Sequence, residues 1–151
     1  MILDNNKMKI KVVEFPKKKF IAKYGEKTQG VTGPYKKGQQ NPQEVHVKRG
    51  LTPSRKKLII THEVGHLVTE RGRIEKKIPS LEKKKLLKYY KAFVAGKYRG
   101  KESKNAKIRE ALADIYVRNK MGSVNERKII KRNLPVTYAK EIGRASCRER
   151  V

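Results

Sequence analysis

The run His62-Glu63-Val64-Gly65-His66 constrains this chain more than any other five residues in it. On a helix, positions four apart share a face, so the two imidazoles lie one turn apart and can both turn a nitrogen toward one ion at ~2.0–2.1 Å. A carboxylate beside the first histidine is then placed to act as a general base on metal-activated water. Two of the chain's three histidines are in this run. The flanking residues supply the helix: Thr52 is suited to the N-cap and Pro53 to the first helical position. Leu58, His62, Gly65, His66 and Thr69 then recur at spacings of three and four, on a face expected to look inward, until Gly72 stops the pattern.

Two imidazoles alone hold zinc weakly, and a catalytic site needs a third protein ligand and an open position for water. The single cysteine, Cys147, lies in the last few residues, so disulfides and thiolate ligands drop out and His, Glu and Asp remain. Glu110 and Asp114 are again four apart, within Glu110-Ala111-Leu112-Ala113-Asp114-Ile115, whose apolar members indicate a buried helix. Two inward carboxylates are costly without a cation or hydrogen-bond donors. Zinc for Glu110 and an imidazole N–H for Asp114 would resolve that cost together. An ordinary ion pair with one of the many Lys and Arg residues is the alternative for Glu110, and Asp114 as ligand in its place is another.

Around these motifs the chain reads as one α+β unit. Strands are expected at Lys9 to Phe15 and Phe20 to Tyr24, either side of Pro16, and at Glu44 to Lys48, with a long turn region from Gly25 to Pro42. Ser80 after Pro79 is expected to cap a second helix with the stripe Leu86, Leu87, Tyr90, Phe93 and Val94, ending near Gly96 to Gly100. Ser103 would cap a third, with Ile108, Ala111, Leu112 and Ile115 inward and Gly122 at its end, and a fourth piece spans Val124 to Arg132.

The formal net charge of +26 is high for a chain of 151 residues. Such an excess suits a polyanion such as nucleic acid, held through salt-sensitive phosphate contacts. A heavily solvated lysine surface gives the same composition, because the lysines are spread in clusters along the whole sequence. No apolar run approaches the ~18 residues of a membrane span, and Met1 to Asn6 has no basic-then-apolar signal pattern. A cytoplasmic protein is therefore expected. The last eleven residues, Glu141 to Val151, back-translate to a string similar to a common sequencing adapter. They are expected to be a foreign tail following a truncated domain of residues 1–140.

The helix with His62-Glu63-x-x-His66, followed by a helix with Glu110-x-x-x-Asp114, resembles the zincin metallopeptidases of the gluzincin type over roughly residues 43 to 121. The short length is similar to minigluzincins and to the ImmA/IrrE-type peptidases of phages and mobile elements. A third histidine of the metzincin kind is absent after His66. The resemblance implies a zincin-like fold, with a small N-terminal antiparallel sheet packed on the active-site helix and two or three further helices. It implies Zn2+ held by His62, His66 and Glu110, Glu63 as catalytic base, and Asp114 orienting a ligand histidine. It further implies a peptide or protein substrate, paired along the strand around Val45 to Val47. For an oxyanion-stabilising group, Tyr89, Tyr90, Tyr98 and His46 are all open, although a lone strand histidine most simply faces solvent or the cleft rim, and tyrosines most simply belong to the core.

Overall fold

A parallel pair of strands organises the N-terminal part of the protein. The computed structural model describes residues 2–5, 8–32, 43–94 and 103–141, and the chain divides into two compact units, 1–67 and 68–151. The first unit holds β1 (Ile2–Asn5), β2 (Met8–Phe15), α1 (Lys17–Tyr24), β3 (Gly30–Thr32) and β4 (Gln43–Lys48), and α2 (Pro53–Gly72) begins in it. The sheet order is β1-β2-β4-β3. β1 runs antiparallel to β2 and β3 antiparallel to β4, but β2 and β4 are parallel, with Val12 opposite Val45. The expected antiparallel sheet is thus a mixed one.

The physical reason lies in α1, where a strand from Phe20 to Tyr24 was expected. Parallel neighbours need a crossover, and α1 is part of it. Pro16 supplies the pre-set φ before the first turn, and its carbonyl accepts from the Phe20 amide at 3.0 Å. Phe20 and Tyr24 are four apart, and their rings meet at 4.9 Å, so the apolar period here is the helical one. Ile10, Val12, Val45 and Val47 are buried, and the register puts Val12, Glu14, Val45 and Val47 on one sheet face. α2 meets that face, since Lys56 pairs with Glu14.

The second unit is helical: α3 (Ile74–Lys77), α4 (Ser80–Tyr89), a π-helical turn (Tyr90–Val94), α5 (Lys104–Met121), α6 (Val124–Asn133) and α7 over 135–141. The third helix is as expected. Ser103 accepts from the Ala106 amide, and Ile108, Ala111, Leu112 and Ile115 are buried. Ser123 caps α6 in the same way. Ser80 is not a cap but the first residue of α4, after Pro79. The stripe on this helix also departs from expectation. Leu86, Tyr90 and Val94 are buried while Phe93 is 62 % exposed, because the wider π turn brings Val94 into line with Tyr90 and swings Phe93 out.

α7 begins against the carboxylate of Glu82. This buried side chain accepts from the Val136 and Thr137 amides and from the Thr137 hydroxyl, so a residue of α4 caps a helix more than fifty positions later. Glu141, the first residue of the expected tail, closes α7 fully buried against Asn119. Residues 142–151, Gly33 to Pro42, and Gly96 to Gly100 lie outside the described residues.

Candidate metal centre

Local chemistry starts α2 where the sequence requires it. The Arg55 amide donates to Thr52 Oγ1 at 3.3 Å and the Lys56 amide to the Thr52 carbonyl at 2.8 Å. Ten residues into the helix, the rings of His62 and His66 lie edge to face with centroids 4.8 Å apart. Both are half-buried, as is Glu63 between them, while Val64 and Leu67 are core residues. A helix that is apolar on one side and carries imidazoles toward its margin keeps the rings near the core without burying them fully.

The β3 residue nearest Glu63 on the face toward α2 is a glycine. Gly30 on β3 packs so closely on α2 that a Cβ there would collide with the Ile59 side chain and lie 3.5 Å from Glu63 Cγ. β3 is therefore the strand beside Glu63. β4 is interior, paired to β2 on one side and β3 on the other, so the strand around Val45 to Val47 has no edge to offer a substrate. The outer edge of β3 carries no strand among the described residues.

His46 is buried rather than facing solvent or a rim. Its Nδ1 is 2.6 Å from the Tyr24 hydroxyl and its Nε2 2.8 Å from Glu44 Oε2, with the Phe15 ring at 4.7 Å. Gly30 stands opposite Val47 and Val31 opposite His46, so His46 is on the sheet face away from Gly30 and α2. One ring nitrogen ties α1 to the sheet and the other is engaged by Glu44 on the same strand, which removes His46 as an oxyanion group.

On α5, Glu110 and Asp114 are half-buried, one turn apart, with the buried residues Ala111, Leu112 and Ala113 between them. One ligand atom from each of His62, His66 and Glu110 comes within 4.8 Å of the others, close enough for the three to hold one metal ion. Two imidazoles and a carboxylate are a suitable donor set for a divalent transition metal.

Asp114 has a different set of contacts. Its Oδ2 accepts from the Tyr89 hydroxyl and from Arg118 Nε, the latter at 3.2 Å. The guanidinium also lies 5.5 Å from both the Tyr89 and Phe93 ring centroids. Burial, and then the bond to Asp114, pushes the Tyr89 phenol well above its ordinary range. Tyr89 is thus a partner of Asp114. Tyr90 is buried, and Tyr98 lies outside the described residues. Arg118 was legible as the residue four after Asp114, whereas Gly30 carried no signal beyond its place in a turn-rich stretch. No family model, curated protein or solved structure matches this chain.

Proposed function

We propose that the protein is a zinc-dependent peptidase of the gluzincin kind. His62, His66 and Glu110 would hold the ion, Glu63 would act as general base, and Asp114 would orient a ligand histidine. The observation that carries this reading is the His-His-Glu group, whose ligand atoms lie within 4.8 Å of one another, with Glu63 adjacent on the same helix. Zinc, when bound, supplies Lewis acidity and lowers the pKa of a coordinated water toward ~7.

The chain's own residues do the rest. Glu63 takes a proton from the attacking water and returns it to the leaving amine. The peptide adds to the outer edge of β3, where backbone hydrogen bonds hold it extended beside Glu63. The small Gly30 lets that edge approach α2 closely. Tyr89 and Arg118 fix the Asp114 carboxylate, and a fixed carboxylate sets the tautomer and orientation of a ligand imidazole.

The test is zinc stoichiometry by elemental mass spectrometry beside cleavage of a peptide library by the full chain. Glu63→Gln is expected to keep one zinc per chain and to lose about 10²–10⁴-fold in kcat/KM. His62→Ala and Glu110→Ala are expected to lose both zinc and cleavage. Cleavage that survives Glu63→Gln overturns the mechanism, and zinc retained by Glu110→Ala overturns the ligand set.

A further inference from the structure

Two segments of the second unit carry exposed cations while their acids are occupied. On α4 and the π-helical turn, Lys84, Lys88 and Lys91 are exposed at spacings of four and three, with Lys85 exposed next to Lys84. The one acid of this segment, Glu82, is buried and engaged with the start of α7. On α6, Lys128, Lys131 and Arg132 are exposed, and the one acid there, Glu126, lies 3.6 Å from Arg118. Lys85 Nζ donates to the Asn133 carbonyl at 3.2 Å, which brings the end of α6 beside the middle of α4. Two rows of cations therefore adjoin, with both acids of these segments already engaged.

Crowded like charges repel one another and gain most from a partner that neutralises several at once. Duplex nucleic acid, with one negative charge per ~1.7 Å of axis, is such a partner. Each lysine on a phosphate releases a condensed counterion. A helical rise of ~1.5 Å per residue spaces Lys84, Lys88 and Lys91 along ~10 Å, so successive side chains can reach successive phosphates of one strand. We propose that the α4–α6 face binds the phosphate backbone of nucleic acid without regard to sequence. None of the α4 and α6 cations proposed to meet phosphate belongs to the metal centre, so the inference stands or falls independently of the peptidase reading.

The experiment is fluorescence anisotropy of the full chain with a short labelled duplex DNA of arbitrary sequence, across a salt series. The triple variant Lys84→Glu/Lys88→Glu/Lys91→Glu is expected to bind at least ~30-fold more weakly and to lower the slope of log K on log salt by ~2.7. A control with the same net charge, Lys17→Glu/Lys18→Glu/Lys19→Glu on the exposed side of α1, is expected to change affinity by less than about threefold. Equal losses in both triples would overturn the assignment in favour of diffuse charge, as would a parent that does not bind DNA at ~100 mM salt. Binding to phosphatidylserine vesicles that the α4 triple abolishes, with DNA binding unchanged, would overturn it in favour of a membrane surface. Circular dichroism checks the fold of each variant. The milder Lys84→Gln/Lys88→Gln/Lys91→Gln decides if the charge reversal does not fold: a smaller loss in the same direction supports the face, and none overturns it.

Discussion

Asp114 illustrates how much one carboxylate's surroundings decide at the scale of the residue. The sequence suggests an imidazole as its partner, and within the second unit its Oδ2 accepts from a phenol and a guanidinium. Tyr89→Phe is expected to destabilise the protein by ~1.5–3 kcal/mol, the range for a hydrogen bond to a charged group, at the lower end because the site is partly exposed. Chemical denaturation measures it. Because the Tyr89 phenol lies well above the ordinary range, Tyr89→Phe should leave unchanged the number of tyrosines that an ultraviolet titration finds ionising near pH ~10. Metal content should be retained in Tyr89→Phe while turnover falls, if the Tyr89 bond positions Asp114 rather than merely adding stability.

Glycine at position 30 sets the approach of two elements, β3 and α2. Ile is stiff about χ1, so a methyl at Gly30 cannot be accommodated by turning the Ile59 side chain aside. Gly30→Ala is expected to cost ~1–3 kcal/mol as overpacking, and to lower activity more than Tm would explain, because β3 must move away from Glu63. An equal loss in a variant of the same stability elsewhere in the sheet would remove the positional argument. The same scale shows why local signals succeeded unevenly. Caps at Thr52 and Ser103 were legible because their partners are three residues away. The Glu82 cap of α7 was not, because its partners are remote in sequence.

Glu141 brings pH into the stability of the whole molecule. Burial holds its carboxyl well above the usual range, against smaller opposing contributions from Asn119 and Lys120. Glu141 Oε1 and Asn119 Oδ1 are both buried acceptors without a hydrogen-bond partner, and a proton on Glu141 would turn one of them into a donor. The folded state thus holds this proton to higher pH than the unfolded chain does. The stabilising contribution is complete below the unfolded pKa of ~4.3 and is lost as pH rises through the folded value. Glu141→Gln is expected to flatten the fall in Tm above pH ~5 and to raise Tm at pH 7 relative to the parent. A parent and variant with parallel Tm profiles would contradict it. Among the described residues, no helix is long and apolar enough to cross a membrane.

The sequence by itself determined what short-range chemistry can determine. Spacing put His62, Glu63 and His66 on one capped helix, and Glu110 with Asp114 on another, because helical neighbours are fixed by a period of 3.6. Strand β4 was legible from Val45-His46-Val47, but its neighbours were not. Alternation specifies a face and leaves pairing open, so parallel β2, interior β4 and edge β3 were decided only when α1 completed the crossover. Phe20 to Tyr24 was misleading because a short apolar segment satisfies either period until something packs on it. His46 likewise became a buried tie only once Tyr24 stood on a helix over the sheet. Contacts distant in sequence carry no local signature, and tertiary structure alone chose Gly30 for Glu63 and Tyr89 for Asp114.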